Sequence, residues 1–202
     1  MPKSGYHHGD LRTALIGAAL KLLEEHGPDG VTMRAAAREA GVSAAAPYRH
    51  FADRDELMSA VAAACNQRLM AHMSAAAGEL DSPLKQYRAH GVALVTFAVA
   101  NPRLFQVMND ATWSASETSP EMAAVNEAMY AQTATLVAAA QEAGELSAAS
   151  PAVQMLAAQA MVYGLARLFI DGQMAAYGLS DDRAEELANA VVDVLGMGLV
   201  AR

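Results

Sequence analysis

Apolar positions in the first quarter of the chain recur at the spacing of amphipathic helices. The pattern predicts three helices, over residues 11–26, 33–40 and 44–51. Gly41 stands between the last two, where a tight turn needs a residue that accepts a positive φ without strain. A longer helix followed by two short helices around a glycine turn is typical of a helix-turn-helix unit.

The remainder of the chain carries the same helical spacing, with Ser-Pro and Asn-Pro pairs where helices can begin. The helices that it predicts cover residues 54–78, 83–100, 102–110, 120–143, 151–177 and 182–199, with a polar loop over 112–119. The predicted fold class is therefore all-α, with about nine helices. It has two parts, a helix-turn-helix domain over residues 1–55 and a helical domain over residues 56–202.

The composition agrees with a helical fold and limits the cellular setting. The chain is 53% hydrophobic but only 5% aromatic, and alanine, the best helix former, supplies much of the apolar part. The single cysteine, Cys65, excludes an internal disulfide and is expected in the core of a cytoplasmic protein. The longest apolar run, residues 91–100, is about half of a bilayer span, so neither a membrane-spanning helix nor a membrane partner is expected.

The net charge of −8 is unevenly distributed along the chain. Residues 1–55 contain seven basic and seven acidic residues, so the whole negative excess lies beyond residue 55. Repulsion between like charges makes residues 56–202 a poor partner for a polyanion such as DNA. Only the helix-turn-helix part is neutral enough to bind one.

Four short segments within residues 10–60 resemble the tetracycline-repressor (TetR) family, in unbroken order. They read Thr32-Met33-Arg34, Ala40-Gly41-Val42-Ser43, Tyr48-Arg49-His50-Phe51 and Arg54-Asp55-Glu56-Leu57. The resemblance implies a ligand-responsive homodimeric regulator, a repressor in the favoured interpretation, that binds a palindromic operator in double-stranded DNA. It also implies that residues 56–202 bind a small apolar or amphipathic molecule and form the dimer, without a cofactor.

A set of candidate DNA-binding residues follows from this pattern and the resemblance. The first residues of a recognition helix face base edges, and three of them here are alanines, which offer only methyl contact with thymine. Sequence preference must then come from Ser43, from Arg34 or from DNA shape. The full set is Thr32, Arg34, Ser43, Ala44, Ala45, Ala46, Tyr48, Arg49, His50 and Arg54, with the last four at phosphates. Phe51 is expected in the core.

Methionine and aromatic residues are spread over the C-terminal helices, where they form ordinary core or line a ligand pocket. The predicted pocket residues are Phe97, Phe105, Met108, Trp113, Met129, Tyr130, Met161 and Tyr163. The polar side chains that could orient a ligand there are His90, Asn109, Asn126 and Gln159. Apolar stripes on the last two long helices predict a dimer interface of Leu156, Ala160, Ala184, Leu187, Ala188, Val191 and Leu195.

No catalytic constellation is present in the sequence, and no metal site is expected, because His7-His8 lacks the spacing of metal ligands. Two further stretches, Tyr6-His7-His8-Gly9-Asp10-Leu11 and Ala45-Ala46-Pro47-Tyr48, resemble a branch of the family whose ligand domain carries Trp-His-Gly. The comparable place here reads Val162-Tyr163-Gly164. Two other functions stay open. One is a helical ligand-binding protein or enzyme without operator binding, which the three alanines favour, and the other is an activator or protein-binding adaptor.

Overall fold

A computed structural model describes residues 8–114 and 119–199, and the side chains of residues 8–10, 111, 181 and 195–199 are outside that description. Within those ranges the chain forms nine α-helices and no strand, which confirms the all-α prediction. The helices are α1 (His8–His26), α2 (Met33–Glu39), α3 (Arg54–Ala77), α4 (Pro83–Ala100), α5 (Pro102–Met108), α6 (Ala111–Ser114), α7 (Pro120–Glu142), α8 (Pro151–Ile170) and α9 (Ala184–Leu199).

The predicted α-helix over residues 44–51 is wrong, because the structure has turns there. The segment begins with a turn, in which the Ala46 N–H donates to the Ser43 carbonyl at 2.9 Å. A single 3₁₀ turn over Pro47–Arg49 follows it. Pro47 explains the difference, because it has no N–H with which to close an α-helical turn onto Ser43. A 3₁₀ turn needs only bonds between residues three apart, such as the one from the His50 N–H to the Pro47 carbonyl at 2.9 Å.

Two other helix limits also differ from the predicted ones. The predicted loop over 112–119 begins inside the short helix α6, whose Ser114 N–H donates to the Asp110 carbonyl at 2.9 Å. The predicted helix over 151–177 ends at Ile170, because the chain turns back at Gly172, where φ is +68°. The Gln173 N–H then donates to the Leu168 carbonyl at 2.9 Å, which closes the helix end as a capping bond.

The chain forms two compact units. The first unit contains the described residues up to Gln67 together with Arg103–Asn126, and the second contains Arg68–Pro102 together with the described residues from Glu127 onward. The first unit thus extends past the boundary predicted after residue 55, because α3 continues through that position and the segment from Arg103 joins the helix-turn-helix.

The first unit has a core of aliphatic, methionine and phenylalanine side chains, with α1 packed against α2. Its fully enclosed members include Leu15, Leu23, Val31, Phe51, Leu57, Met58, Phe105 and Met122. Cys65 is buried among the core residues, as expected. Two contacts tie the later segment to α1: Arg12 forms an ion pair with Glu121 at 2.7 Å, and the Arg103 guanidinium donates to the Glu24 carbonyl.

The second unit is built on α4, which packs against α8 and α9, while α8 and α9 also pack against each other. Gly91 allows this close approach, since a Cβ there would stand 3.3 Å from Val162 Cγ1 and 3.4 Å from Val192 Cγ2. By length and composition α8 could span a membrane, with a mean hydropathy of 1.4, although core helices of other proteins reach the same value. It packs onto α4 and α9 with one face, and 28% of its apolar stretch is buried.

Candidate nucleic-acid interface and ligand cavity

The turn between α2 and the segment that follows it has helix-turn-helix geometry. Thr32 caps α2, because its Oγ1 accepts a hydrogen bond from the Ala35 N–H at 3.1 Å. Gly41 adopts φ +69°, the left-handed conformation that the sequence assigned to this turn. The Val42 N–H donates to the Ala37 carbonyl at 2.9 Å, which ends α2 sharply and directs the chain outward.

The segment after the turn has one buried side and one exposed side. Pro47 and Phe51 are buried, so Phe51 belongs to the core as expected. Tyr48 is 57% exposed, which is unusual for a large aromatic side chain in a packed unit. The exposed residues of this segment, together with Arg34, which is exposed on α2, form what we call the reading surface. Its residues are Arg34, Ser43, Ala44, Ala45, Tyr48 and Arg49.

The two arginines of the reading surface, Arg34 and Arg49, are exposed and available to a partner outside the chain. Within the described parts of the chain, neither Arg34 nor Arg49 forms a hydrogen bond or an ion pair, and both side chains are exposed. Arg49 lies in the 3₁₀ turn next to Tyr48, so a guanidinium and a phenol hydroxyl are presented together. Both groups donate hydrogen bonds to phosphate oxygens, the commonest protein contact to DNA.

Other members of the predicted DNA-binding set have different surroundings. Thr32 is exposed, but its hydroxyl oxygen is already the cap of α2. Ala46 and His50 are half-buried, so each offers only part of its surface to a partner. Thr32 and these two residues therefore border the reading surface.

Arg54 has a structural role that the sequence did not reveal. Its Nε donates to the Val31 carbonyl and its Nη2 to the Pro28 carbonyl, both at 2.8 Å. Its guanidinium also lies 5.4 Å from the centre of the Trp113 ring, within the range of a cation–π contact. Two of its donors therefore hold the loop between α1 and α2, a role that was not predicted, and the phosphate contact at Arg54 stays a prediction.

Trp113 extends this arrangement to α6. Its Nε1 donates to Asp55 Oδ1 at 3.0 Å, and its carbonyl accepts a hydrogen bond from Ser59 Oγ at 3.2 Å. The single tryptophan of the chain thus bridges α3 and α6 within the first unit. It lies beside Arg54 and does not line the cavity of the second unit described below.

The other predicted pocket residues are distributed over the two units. Phe105 and Met108 are core residues of the first unit, and Phe97 is core in the second. Tyr130 is 61% exposed on α7. The half-buried side chains of Met129, Met161 and Tyr163 belong to the second unit without lining its cavity. Spacing along single helices indicated apolar faces, but it did not indicate which faces meet.

A cavity of about 70 Å³ lies within the second unit, between residues of α4, α8 and neighbouring elements. Two predicted polar residues, His90 and Gln159, do line it. The apolar part of its lining consists of Met73, Leu84, Gly91, Leu94, Leu146, Met155, Ala158, Val162 and Val192. Arg88 also lines the cavity and forms an ion pair with Asp193.

Two polar atoms at this cavity are buried without a partner. Tyr87 Oη and His90 Nδ1 make no hydrogen bond within the described chain. Burial raises the pKa of the Tyr87 hydroxyl to about 12 and lowers the pKa of the His90 imidazole, so both groups are neutral at pH 7. Buried polar groups are normally paired, so this pair makes the cavity a candidate binding site.

The predicted dimer interface is partly exposed and partly buried in the chain itself. Leu156 is 68% exposed, Ala160 is exposed, and Ala184, Leu187 and Val191 are half-buried. Ala188 is fully buried, so it packs inside the second unit and is corrected as an interface residue. The side chain of Leu195 lies outside the described residues. Val153 and Val194, which the sequence did not single out, are also largely exposed.

Metal chemistry finds no support in the described residues, among which no three His, Cys, Asp or Glu side chains cluster as metal ligands do. His7 of the His7-His8 pair and most of the segment Tyr6–Leu11 that suggested a family branch lie outside the described residues or their side chains. The branch stays a prediction.

Comparisons with known proteins cover both units. Residues 15–61 match the family model of bacterial regulatory proteins of the tetR family, and residues 87–195 match that of the tetracyclin repressor-like C-terminal domain. No curated protein matches.

Solved structures share the fold over nearly the whole chain. One of a protein with unknown function from Rhodococcus sp. RHA1 is 33% identical, with a TM-score of 0.80 over 98% of this chain and 99% of that one. A TetR family transcription regulator from Marinobacter aquaeolei VT8 is 19% identical, with a TM-score of 0.68 over 95% and 96%. A putative transcriptional regulator of the same family from Vibrio parahaemolyticus is 24% identical, with a TM-score of 0.66 over 96% and 100%.

Proposed function

Because this chain belongs to the TetR family of bacterial regulatory proteins, we propose that it is a homodimeric repressor that a small molecule releases from its operator. Membership makes it a ligand-responsive, DNA-binding transcription regulator and not an enzyme. The finer features, namely the dimer, the repressor role, the palindromic operator and the cytoplasmic location, are part of the proposal.

The reading surface is the observation that carries this proposal. It presents two uncommitted arginines and an exposed tyrosine hydroxyl on a helix-turn-helix whose buried side is well packed. We assign Arg49 and Tyr48 to phosphate contacts, which position the protein on any sequence. We assign Arg34 and Ser43 to base edges, because Ala44 and Ala45 supply only methyl contacts.

The dimer is proposed to form through the exposed apolar face of α8 together with α9. Val153, Leu156, Ala157 and Ala160 recur at helical spacing and are exposed, while the opposite face of α8 is buried within the unit. An apolar face of this kind is stabilised by a partner, and a second copy covers it symmetrically. A two-fold dimer carries two reading surfaces and so requires two half-sites in the DNA.

Release from DNA requires the ligand to prefer the arrangement that cannot bind the operator. A ligand that binds both arrangements equally well shifts no population, however tightly it binds. Helices α3 and α7 each contribute residues to both units without a break, so they are the proposed route by which an occupied cavity affects the reading surface.

Selection from random duplex DNA with the full chain tests the function. We expect enrichment of a two-fold symmetric sequence, and loss of binding to it in Arg49→Ala. Lys85→Ala is the matched control, because it removes an exposed cation from α4 in the second unit and should bind normally. Absence of any enriched sequence would favour the alternative, a ligand-binding protein of this fold without an operator.

A further inference from the structure

The cavity of the second unit contains an unusual pair of groups on one face of α4. Tyr87 and His90 are three residues apart, so their side chains are neighbours on the helix surface. Both line the cavity, and Tyr87 Oη and His90 Nδ1 are buried without a hydrogen-bond partner in the described chain. His90 is only 3% exposed, so water outside the unit does not readily satisfy it. A ligand with a matching polar group would complete both hydrogen bonds.

The rest of the lining determines what can be attached to that polar group. Most of it is aliphatic or methionine, which favours an apolar body. The only charged residue of the lining is Arg88, and its charge is balanced by the ion pair with Asp193. A carboxylate or an ammonium group would therefore lose its hydration without gaining an opposite charge.

The two unpaired groups are themselves neutral, because burial moves their pKa values away from pH 7. Tyr87 Oη can donate a hydrogen bond, and a neutral imidazole nitrogen is either a donor or an acceptor, depending on its tautomer. A hydroxyl group satisfies both tautomers, because it donates one hydrogen bond and accepts others. A ketone or an ether can only accept, so it fits one tautomer alone.

Size sets a further limit on the ligand. The volume of about 70 Å³ is several times what one water needs, and roughly half of a cavity known to hold benzene. Met73 and Met155 line the cavity, and methionine side chains rearrange readily to enlarge such a space. One six-membered ring therefore fits only when these methionine side chains make room for it.

We propose that this cavity binds a neutral, monocyclic alcohol or phenol, whose hydroxyl group pairs with Tyr87 Oη and His90 Nδ1. The proposal names the class of ligand that the regulator binds. It rests on the proposed function only in the statement that an occupied cavity changes DNA binding. The binding itself is a property of the second unit, so it is measurable without DNA.

The test compares three probes of nearly equal shape on the full chain by isothermal titration calorimetry. p-Cresol carries a ring and a hydroxyl, p-xylene replaces the hydroxyl by a methyl group, and p-toluate carries a charge. We expect p-cresol to bind about tenfold more tightly than p-xylene, because only p-cresol pairs with the buried groups. p-Toluate is expected to bind more weakly than p-cresol.

Two tyrosine variants locate the effect. Tyr87→Phe keeps the ring and the fold, and it should reduce the preference for p-cresol over p-xylene to within about threefold. Tyr130→Phe is the matched control, because Tyr130 is exposed on α7 outside the lining, and it should keep the full preference. Ala158→Trp places an indole where Ala158 lines the cavity and should abolish binding of both neutral probes.

Equal affinities for p-cresol and p-xylene in the unmodified chain, no binding at millimolar concentrations, or an equal loss in both tyrosine variants would overturn the proposal. Failure of the DNA selection would leave these titrations unchanged, because they contain no DNA. The two proposals therefore fail separately.

Discussion

The two compact units differ in how their buried polar groups are paired. In the first unit, Arg54, Asp55 and the Trp113 indole satisfy one another or backbone carbonyls, and the cations left over face outward on the reading surface. In the second unit, two polar atoms are buried without partners at a cavity, and α8 presents an apolar face. In the residues that the structure describes, the first unit therefore needs no further partner to pair its buried polar groups. In the second unit, a ligand would pair the buried polar atoms and a second copy would cover the apolar face.

The largest expected effect comes from breaking the apolar face of the second unit. Leu156→Asp places a charge in the proposed dimer interface, where its desolvation opposes association. Light scattering at micromolar concentration should then give a monomer mass near 21 kDa, against twice that mass for the unmodified chain. Operator affinity should fall by about 10²-fold or more, because the two half-sites are no longer bound together.

Leu80→Asp is the matched control, because it places the same charge at an exposed leucine that lies outside α8 and α9, so the dimer should persist. A monomer mass for the unmodified chain, or a dimer mass for Leu156→Asp, would contradict the proposed interface. Association with lipid vesicles instead of dimer formation would assign the apolar face of α8 to a membrane.

The next effect concerns the internal pairing of the first unit. Arg54→Ala removes two charged hydrogen bonds to the carbonyls of Pro28 and Val31, and should lower the free energy of unfolding by about 2–4 kcal/mol. Arg49→Ala removes no such bond and should change it by less than about 0.5 kcal/mol. Urea unfolding followed by the fluorescence of Trp113 measures both values in this unit. Equal midpoints for the two variants would show that Arg54 is not structural.

The division between positioning and recognition predicts a smaller effect on DNA binding. Arg49→Ala should weaken binding to all sequences alike and reduce the slope of log K against log salt by about one. Arg34→Ala should cost about 1–3 kcal/mol at particular base pairs only, if its guanidinium contacts a guanine. Titrations of single-base operator variants at two salt concentrations measure both. An equal loss for Arg34→Ala at every position would refute its assignment to bases.

The smallest expected effect is on the coupling of the two units. Ala158→Trp fills the cavity, so the operator affinity without ligand should stay within about twofold while p-cresol no longer changes it. Tyr130→Trp is the matched control, because Tyr130 is exposed on α7, does not line the cavity and lies outside the proposed dimer face. If p-cresol is an inducer, it should lower operator affinity by roughly 5- to 150-fold in the unmodified chain. The same response in Ala158→Trp would place the effector site elsewhere.

Most of what could be predicted from the sequence depends on bonds between residues that are close together in the chain. Thr32 and Gly41 fix the ends of α2 through bonds to residues a few positions away, so the turn was predictable. Pro47 carried the signal for a 3₁₀ turn, because a residue without an N–H cannot continue an α-helical pattern. Helical spacing indicated the all-α class, and the helix-turn-helix pattern together with the family resemblance indicated the position of the reading surface.

Contacts between distant residues determined the rest. The carbonyls that Arg54 binds lie 23 and 26 residues earlier in the chain, so its sequence neighbours could not reveal them. Residues of α3, α4, α7, α8 and α9 line the cavity, and helical spacing does not select which helix faces meet. Gly91, next to His90 on α4, was a local sign of this close approach.

The affinity ratio between a selected operator and a scrambled duplex of equal length and base composition tests the central claim most directly, at one fixed salt concentration. A helix-turn-helix regulator that recognises base edges through its reading surface should bind the selected duplex at least about 10³-fold more tightly. Arg49→Ala should weaken both complexes and leave the ratio nearly unchanged. Equal affinities of the unmodified chain for the two duplexes would contradict the account.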